Sequence, residues 1–502
     1  MYDIIIKNGK ILDGTGCPAF DSDLAIKDGK IACIAENLTG GKKIIDARGL
    51  VVTPGFIDSH SHSDSTVLSF PGQAEKAEQG ITTSIGGNCG STNWPALKNG
   101  EVVLASTMLD QAAHVPQGSN LATFVGHRAL RRVVMGMEKR SATQGELEKM
   151  GKLLRDGIQA GALGISFGLI YTPSCYARTE ELIYLAKVAK ECGGMLSAHI
   201  RSEADDLVEA VSEMITVAKA ADVRTVFSHH KAMFRQNHGK VNTTLALIRQ
   251  AIKEGADIYC DVYPYIASST SLAARFIPDK YVNDQLPEYM KDIRLRSELK
   301  TKNLEKWGED LSWVQINTCA YDPAFSGLTL TEAAQLHSKD VYETLFDILQ
   351  AQPQCQASFL SMCEADVETV MAYERTMICT DSAVAGDKID YHPRLRGSFP
   401  RVLGRYVRQR NVVSLPEMIR KMTSLPASVY GLQRKGLLAP GYDADICIFD
   451  PDTIIDRADF KDCTKQAEGL FYVFVSGQLV AENAIYNGAT PGKLILRKNE
   501  VS

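Results

Sequence analysis

The fold and the candidate site both follow from residues 50–62, which read Leu50-Val51-Val52-Thr53-Pro54-Gly55-Phe56-Ile57-Asp58-Ser59-His60-Ser61-His62. An apolar run passes through Pro54-Gly55 and then meets two histidines. If this stretch is a strand, residues two apart face the same side, so His60 and His62 project together from the end of a buried strand. Two neutral imidazoles held in this way suit a metal of the zinc class. The alternative is a loop with two hydrogen-bonded histidines, and further candidate ligands at later strand ends weaken it.

The composition is that of an ordinary globular protein. The chain has 502 residues, of which 45% are hydrophobic and 23% charged, with a net charge of −5. No basic stripe indicates a nucleic-acid partner, and no apolar run reaches the roughly 18 residues of a membrane span. The N-terminal residues do not resemble a signal peptide. The twelve cysteines are scattered without paired spacing, which argues against a disulfide framework, and we expect a cytoplasmic location.

Short strand-like runs occupy both ends of the chain. Asn8-Gly9 and Asp28-Gly29 are tight-turn signals between apolar runs near the N-terminus, and Ser476-Gly477 is a turn near the C-terminus. We predict that residues 1–54 and 426–502 pair into one small β-domain, which the large middle of the chain interrupts.

Short apolar runs alternate with longer amphipathic runs through the middle of the chain. The eight strand candidates are Val51–His60, Ile81–Ile85, Leu121–Gly126, Ala162–Gly168, Met195–His199, Arg224–His229, Asp257–Val262 and Thr376–Thr380. The helix candidates between them are Glu146–Ala160, Thr179–Cys192, Asp205–Ala221 and Thr243–Glu254. Such alternation implies parallel strands, and eight units predict an α/β fold of the (β/α)8 TIM-barrel type over residues 55–425. A doubly wound sheet gives the same alternation and stays open as the alternative.

More than a hundred residues separate the seventh and eighth strand candidates, which is far more than one helix needs. We predict an inserted subdomain at residues 266–339. A long insertion at the functional edge of a scaffold often forms a lid or a binding element. The alternative is a decorative insertion or an oligomer contact.

Polar residues recur at the carboxyl ends of the predicted strands, where a barrel of this type carries its active site. They are His60, His62, Cys89, His199, His229 and Asp381. A lone cysteine is usually a small buried hydrophobe, but Cys89 lies in Gly86-Gly87-Asn88-Cys89-Gly90, where glycines let the backbone pass close to a site. A carboxylate after the apolar run 377–379 must be paired, metal-bound or catalytic. His230 points away from His229 by strand alternation, and we expect it to make a structural hydrogen bond.

These motifs resemble the amidohydrolase superfamily. Its hallmarks here are the Gly-Phe-Ile-Asp-Ser-His-Ser-His start, the later single histidines and the final aspartate. Gly-Asn-Cys-Gly at 87–90, Ser-His-His-Lys at 228–231, Asp-Val-Tyr-Pro-Tyr at 261–265 and His-Pro-Arg at 392–394 resemble its D-aminoacylase branch, the N-acyl-D-amino-acid deacylases. The resemblance spans nearly the whole chain. It implies a metal-dependent (β/α)8 barrel with a small β-sandwich built from both chain ends.

The resemblance also bears on the metal. Hydantoinase-like relatives use a carboxylated lysine on strand four, whereas residues 162–168 here contain no lysine. In the D-aminoacylase branch the cysteine, here Cys89, acts as the thiolate ligand with His199 and His229, and His60 and His62 form a weaker second site. One or two zinc ions are therefore implied. The segment Thr380-Asp381-Ser382 departs from the Ser-Asp-Gly of many relatives but keeps the carboxylate.

The implied reaction is zinc-dependent hydrolysis of the amide bond of an N-acyl-D-amino acid, a small-molecule substrate. Asp381 is the candidate base, which takes a proton from the attacking water and passes it to the departing amine. Lys231, Tyr263 and Arg394 are candidates for holding the substrate α-carboxylate, with Tyr265 as the rival of Tyr263. The alternatives are another amidohydrolase reaction, either opening of a cyclic amide such as a hydantoin or deamination, and a catalytically silent barrel used for assembly. The oligomeric state stays open.

Overall fold

The computed structural model describes residues 1–384 and 391–497. Both chain ends contribute to one nine-stranded sheet. Its strands are Tyr2–Ile11, Phe20–Lys27, Lys30–Ala35, Gly41–Asp46 and Val51–Pro54 from the first part of the chain, and Ile446–Phe449, Leu470–Val475, Gln478–Glu482 and Ile485–Tyr486 from the last part. Val51–Pro54 pairs antiparallel with Ile446–Phe449 and thereby joins the two ends. The pairing of the chain ends is confirmed, while the domain limits at 54 and 426 stay a prediction.

Two of the three predicted turns are confirmed. Asp28-Gly29 and Ser476-Gly477 each join neighbouring antiparallel strands, and all four residues have the positive φ that such turns favour. The turn predicted at Asn8-Gly9 is wrong, because both residues lie inside strand Tyr2–Ile11 at a register shift. Asn8 has a φ of 58°, and a Cβ on Gly9 would lie 2.6 Å from the Val52 side chain. The dipeptide therefore forms a bulge that lets two strands approach closely.

The middle of the chain is a mixed α/β fold built on parallel strands. One sheet contains Phe56–Asp58, Ile81–Gly86 and Asn120–Thr123, and a second contains Val125–Gly126, Gly164–Gly168, Met195–His199, Thr225–Phe227, Ile258–Val262 and Thr376–Ile378. Every pair inside these two sheets is parallel. Each of the eight predicted strands overlaps an observed one, and the third overlaps both Asn120–Thr123 and Val125–Gly126.

Helices cover these parallel strands. The four predicted helices are observed with slightly different ends, as Gln144–Gln159, Thr179–Glu191, Leu207–Ala221 and Lys240–Lys253. The others in this part of the chain are Ala74–Ala77, Ala105–Ala113, His127–Met135, Glu364–Ala372, Arg394–Arg401, the π-helix Val402–Gln409, Leu415–Met422 and Ser424–Val429. A short antiparallel hairpin, Ala96–Lys98 with Glu101–Val103, follows the second parallel strand. Among the described residues, no helix combines the length and the apolarity that crossing a bilayer requires.

A separate structural unit fills the long interval between the last two parallel strands. It contains a three-stranded antiparallel sheet of Ser268–Ser271, Val314–Ile316 and Gln356–Phe359. Its helices are Leu272–Phe276, Leu286–Tyr289, Ile293–Trp307, Leu330–Leu336 and Val341–Ala351. The middle strand of this sheet is Gln356–Phe359, which lies beyond the predicted limit at residue 339.

Side chains from several parallel strands meet in one buried cluster. Ile57, Ile85, Ala122, Val226 and Met377 belong to it, and each is at most 1% exposed. These residues come from the first, second, third, sixth and eighth predicted strands. Burial of this much apolar surface fixes the relative positions of the strands, so the carboxyl ends of all these strands lie together.

Candidate metal centre

Ionisable side chains gather at the carboxyl ends of the parallel strands. Within the described ranges 1–384 and 391–497, two groups have the spacing of metal ligands, His60 with Cys89, His229 and Asp381, and His199 with Glu203 and His229. Within each group the ligand atoms lie within 4.8 Å of one another, and all these residues are buried. Because unpaired buried charges are costly, such a concentration needs internal pairing, a metal ion or both.

Cys89 lies at the middle of the cluster. Its Sγ is 3.3 Å from His60 Nε2, 3.5 Å from His199 Nδ1 and 3.4 Å from His229 Nε2. Two ligand atoms of a tetrahedral zinc ion lie about 3.3–3.6 Å apart for ordinary Zn–N and Zn–S lengths. Burial alone would raise the pKa of the Cys89 thiol, but the charges of His60 and His229 outweigh burial and hold this pKa well below its ordinary value. The donor set therefore fits a zinc-class metal.

The glycine-rich loop after strand Ile81–Gly86 presents Cys89 to the cluster. Gly87, Cys89 and Gly90 all have positive φ, between 54° and 73°, which folds the loop tightly. Asn88 helps to hold this loop in place, because its Oδ1 accepts a hydrogen bond from Ser197 Oγ at 2.7 Å. The amide of Gly90 donates to Ser166 Oγ at 3.1 Å. The loop is thus anchored to two neighbouring strands.

His60 and His62 reach the cluster by a route other than the predicted one. The strand ends at Asp58, so the prediction that strand alternation aligns the two histidines is wrong. They lie in the following loop, which is held to the last parallel strand because Asp381 N donates to His60 O at 2.9 Å and His62 N donates to Ser382 O at 3.0 Å. Their rings are nevertheless 5.6 Å apart. His62 Nε2 lies 3.3 Å from Asp381 Oδ1.

Asp381 faces both histidines and an arginine. Its Oδ1 is 3.5 Å from His60 Nε2, and its Oδ2 is 2.5 Å from Arg394 Nη1. Burial would raise the pKa of Asp381, but the guanidinium of Arg394 and the charge of His229 hold it well below its ordinary range. The carboxylate is therefore ionised, and its Oδ1 faces His60 and His62 of the cluster.

The candidate substrate residues Lys231, Tyr263 and Arg394 also lie together. Lys231 Nζ and the Arg394 guanidinium each lie 5.4 Å from the centre of the Tyr263 ring. Arg394 is only 7% exposed, whereas arginines in arginine-rich stretches commonly lie on the solvated surface. The Tyr265 hydroxyl donates to Pro393 O at 3.3 Å, and its ring lies under Arg401.

Two carboxylates in the site were not predicted from the sequence. Glu203 Oε1 is 2.8 Å from His229 Nδ1 and 2.5 Å from Lys231 Nζ, and Glu203 Oε2 is 3.7 Å from His199 Nε2. Asp261 Oδ1 accepts the backbone N–H of His229 at 2.5 Å, and its Oδ2 is 3.6 Å from His60 Nδ1. These carboxylates contact the ring nitrogens that face away from Cys89, which is the usual arrangement behind metal-binding histidines.

Two other buried histidines, His127 and His230, have structural settings. His230 Nε2 lies 2.8 Å from Thr244 Oγ1, which confirms its predicted hydrogen bond, and burial lowers the pKa of His230 to about 4. His127 Nε2 lies 2.8 Å from Glu181 Oε1 in a buried group that includes Arg131. The structure thus brings all six residues predicted at strand ends into one place, while their individual roles stay a prediction.

Comparison with known proteins gives an independent result. The sequence profile described as "Amidohydrolase family" matches residues 43–291 and 373–481. Three curated proteins of Alcaligenes xylosoxydans xylosoxydans are similar over almost the whole chain. They are a D-aminoacylase (33% identical, 99% of this chain and 98% of the relative), an N-acyl-D-glutamate deacylase (34%, 100% and 98%) and an N-acyl-D-aspartate deacylase (33%, 98% and 95%).

Solved structures give the same picture. An N-acyl-D-glutamate deacylase from Bordetella bronchiseptica, complexed with zinc and a phosphonate mimic of the tetrahedral intermediate, superposes with a TM-score of 0.85 at 33% identity over 99% of both chains. A D-aminoacylase described as having a binuclear metal centre has a TM-score of 0.85 at 32% identity, over 99% of this chain and all of the other.

Proposed function

The chain belongs to the amidohydrolase family, and from this premise we propose that it is a zinc-dependent hydrolase that cleaves the amide bond of N-acyl-D-amino acids. The observation that carries the proposal is the cluster itself. Three histidine nitrogens lie 3.3–3.5 Å from the Cys89 sulfur, and the ionised carboxylate of Asp381 faces them. The similarity of 33–34% to three deacylases of N-acyl-D-amino acids over nearly the full length supports the reaction.

Zinc suits the donors of this cluster, because a thiolate with imidazoles favours it over hard cations such as Mg²⁺. We infer that Cys89, His199 and His229 hold the main ion and that His60 and His62 offer a weaker second position, so that one or two ions bind. The fourth predicted strand has no lysine, and Ser166 there supports the Cys89 loop instead. When bound, zinc supplies a Lewis acid that polarises an amide carbonyl and lowers the pKa of a water molecule.

Asp381 carries the proton in the proposed reaction. Its pKa is held low, so its carboxylate is ionised at neutral pH. Its Oδ1 faces the cluster, where it can accept a proton from the attacking water. Arg394 binds Oδ2 and so fixes the direction in which Oδ1 points. The same carboxyl group then delivers the proton to the amide nitrogen, which must be protonated because an amine anion is a poor leaving group.

Lys231, Tyr263 and Arg394 form the proposed site for the substrate α-carboxylate. Lys231 contacts His229, and Arg394 contacts Asp381, so a carboxylate between them lies one carbon away from the reacting amide. Both cations lie 5.4 Å from the centre of the Tyr263 ring, which helps to hold them near each other.

We also infer that the parallel strands close into the predicted (β/α)8 barrel over residues 55–425. Ser59 N donates to Ile378 O at 3.2 Å between the ends of the first and last strands, and Leu163 N donates to Thr123 O at 2.8 Å between the two sheets. Residues 1–54 and 426–502 would form the small β-sandwich domain. The unit that begins at residue 266 would act as a lid, and its sheet argues for an end near residue 360.

A hydrolysis panel on the zinc-loaded protein tests the function. It contains N-acetyl-D- and N-acetyl-L-amino acids with apolar, acidic and basic side chains, and a hydantoin. We expect turnover of D-forms only, and a loss of at least about 100-fold in kcat for Asp381→Asn with zinc content unchanged at the Cys89 position. Turnover of the hydantoin alone, or of no N-acyl-D-amino acid, would contradict the proposal.

A further inference from the structure

Arg275 lies beside the metal cluster without an anionic partner. It sits on helix Leu272–Phe276 of the unit inserted after the seventh parallel strand. Among residues 1–384 and 391–497, no carboxylate forms an ion pair with it, and its buried Nε has no hydrogen-bond partner. Its only polar contact in that part of the chain is from Nη2 to the sulfur of Met233, at 3.6 Å, which is a weak acceptor. A guanidinium carries five donors, so most of its capacity is free.

We propose that Arg275 binds a carboxylate in the side chain of the substrate, so that the protein acts on N-acyl derivatives of acidic D-amino acids, D-glutamate or D-aspartate. This inference rests on the proposed function and specifies its substrate class. Sequence identity does not distinguish acidic from other substrates, because the D-aminoacylase and the two deacylases of acidic substrates are all 33–34% identical to this chain.

The surroundings of Arg275 hold its guanidinium in a fixed place. Its Cζ lies 5.3 Å from the Phe234 ring centre and 5.4 Å from the Phe359 ring centre. Phe234 and Phe359 both pack against Trp313, with ring centres 5.7 Å and 6.0 Å apart respectively. Stacking of this kind favours the cation and leaves its in-plane donors available to a ligand. The cation is therefore preorganised to bind.

Arg275 belongs to the same loop system as the metal ligands. Met233, which its Nη2 contacts, follows Lys231 by two residues, and Met233 N donates to Glu203 O at 2.7 Å. Glu203 and Tyr171 are the acidic groups that act most strongly on the pKa of Arg275, which burial lowers. The Tyr171 ring in turn lies 5.2 Å from the His199 ring. Arg275 is thus linked through Met233 to the segment that carries Lys231 and to Glu203.

The position fits a side-chain carboxylate better than the α-carboxylate. The α-carboxylate is one carbon from the scissile nitrogen, so its partner must lie next to the reacting groups. Arg394 touches Asp381, and Lys231 touches His229. In the described part of the chain, Arg275 contacts neither of these groups, and its polar contact is with Met233, two residues beyond Lys231, so it lies farther from the reacting groups than Lys231 does. A carboxylate at the end of a side chain reaches this outer layer, and an arginine there can bind it bidentately.

The test compares substrate pairs that differ only in charge. We expect kcat/KM of the wild-type protein for N-acetyl-D-glutamate or N-acetyl-D-aspartate to exceed that for the matching D-glutamine or D-asparagine derivative by at least about 100-fold, because the neutral amide leaves the guanidinium of Arg275 without an anionic partner. Arg275→Leu should lower this acid-to-amide ratio by at least about 100-fold. Arg275→Lys should keep part of it, and the exposed Arg294→Leu, a matched change in the same unit, should leave the ratio within about twofold.

The ratio is independent of the fraction of folded protein, so a poorly folding variant still gives an answer. A wild-type protein that prefers neutral D-substrates would overturn this inference and leave the proposed function intact. An Arg275→Leu variant that loses acidic and amide substrates equally would also overturn it, because Arg275 would then bind the α-carboxylate or act structurally. Absence of turnover for every N-acyl-D-amino acid would instead overturn the proposed function.

Discussion

Glu203 connects two candidate metal ligands with a candidate substrate cation through one carboxylate. Its oxygens face His229 Nδ1, His199 Nε2 and Lys231 Nζ at 2.8, 3.7 and 2.5 Å. A carboxylate on the far nitrogen of a histidine fixes the orientation of the ring, sets its tautomer and raises its basicity as a ligand. Lys231 in turn holds the pKa of the buried Glu203 well below its ordinary value despite burial. Glu203 is therefore a positioning residue for the metal site.

Replacement of Glu203 by glutamine tests this role. Glu203→Gln keeps the size of the side chain but removes its charge, and we expect the affinity for zinc to fall about 10–100-fold while the number of zinc ions bound at saturation is unchanged. Competition with a chromogenic chelator measures the affinity directly. The control is Glu209→Gln, an exposed residue on helix Leu207–Ala221. Equal zinc affinities for both variants would mean that Glu203 only neutralises Lys231.

The candidate ligands were predictable from the sequence, whereas Glu203 was not. His199, His229 and Asp381 each follow a short apolar run, and a polar side chain after such a run requires a reason. Glu203 lies in the charged stretch Ser202-Glu203-Ala204-Asp205-Asp206, where nothing separates it from its neighbours. Asp205 and Asp206 are exposed, but the loop turns Glu203 inward until only 9% of it is exposed. That direction depends on contacts with residues 229–233, which the local sequence does not contain.

At the scale of single elements, the loop 86–90 shows how backbone conformation sets the chemistry. Gly87 has a φ of 73°, and a Cβ at this position would lie 2.6 Å from Phe124 O and from Thr123 Oγ1. Any side chain would therefore push the loop away from the neighbouring strand. Cys89 follows two residues later, so such a shift would move its sulfur out of the cluster.

Gly87→Ala should therefore lower both the free energy of unfolding and the zinc content of the protein. Gly100→Ala is the matched control, since Gly100 also has a positive φ, 82°, but no atom lies within 4 Å of the position that a Cβ would take there. Both variants carry the penalty of about 1 kcal/mol for alanine in the left-handed region. We expect Gly87→Ala to lose at least about 2 kcal/mol more in urea unfolding and most of its zinc by elemental analysis. Full zinc content in Gly87→Ala would show that the loop tolerates displacement.

The local sequence predicts a turn correctly where the turn depends only on its own residues. Asp28-Gly29 and Ser476-Gly477 form the predicted turns because each pair adopts positive φ and the flanking strands are adjacent in sequence. Asn8-Gly9 carries the same signal but forms a bulge, because the chain continues along the same strand beside Val51–Pro54. Whether this dipeptide forms a turn or a bulge therefore depends on pairing with a strand more than forty residues further along the chain.

At the scale of the whole molecule, the alternation of strands and helices predicted the parallel arrangement, because each unit is local. The inserted unit was recognisable only by its length. Its sheet pairs Ser268–Ser271 with Gln356–Phe359, which are separated by more than eighty residues, so no local pattern marked its end. The contact between the terminal sheet and the middle of the chain is also long-range. It combines shared buried apolar residues, such as Phe56 and Phe449 with ring centres 6.2 Å apart, with a few buried charges.

Lys435 and Asp445 form the centre of that contact. Lys435 Nζ lies 2.6 Å from Asp445 Oδ2 and 3.0 Å from Asp443 Oδ2, and Lys435 is 6% exposed. Asp445 Oδ2 also accepts from Asn120 Nδ2 at 3.1 Å, at the start of the third predicted strand. The backbone oxygen of Asp445 accepts from Gly55 N at 2.8 Å. One aspartate thus ties the terminal sheet to the parallel strands.

Lys435→Met should destabilise the whole molecule by about 3–5 kcal/mol, because it leaves a buried carboxylate without its cation. Burial lowers the pKa of Lys435, but Asp445 and Asp443 outweigh burial and raise it. A raised lysine pKa gives stability that is fully present below the unfolded pKa of about 10.4 and is lost as pH rises through the folded pKa. The difference in unfolding free energy between wild type and variant should therefore stay constant from about pH 6 to pH 9 and shrink at higher pH.

The manner of unfolding then distinguishes a shared core from two loosely joined parts. Lys465→Met removes an exposed ion pair with Asp459 and should cost less than about 1 kcal/mol. If Asp445 couples the two parts, Lys435→Met lowers the temperature of a single calorimetric transition, and zinc release follows the same curve. If the terminal sheet and the parallel strands unfold independently, Lys435→Met shows two calorimetric transitions. The transition that depends on the metal then stays at the wild-type temperature, because no residue of the cluster around Cys89 contacts Lys435 directly.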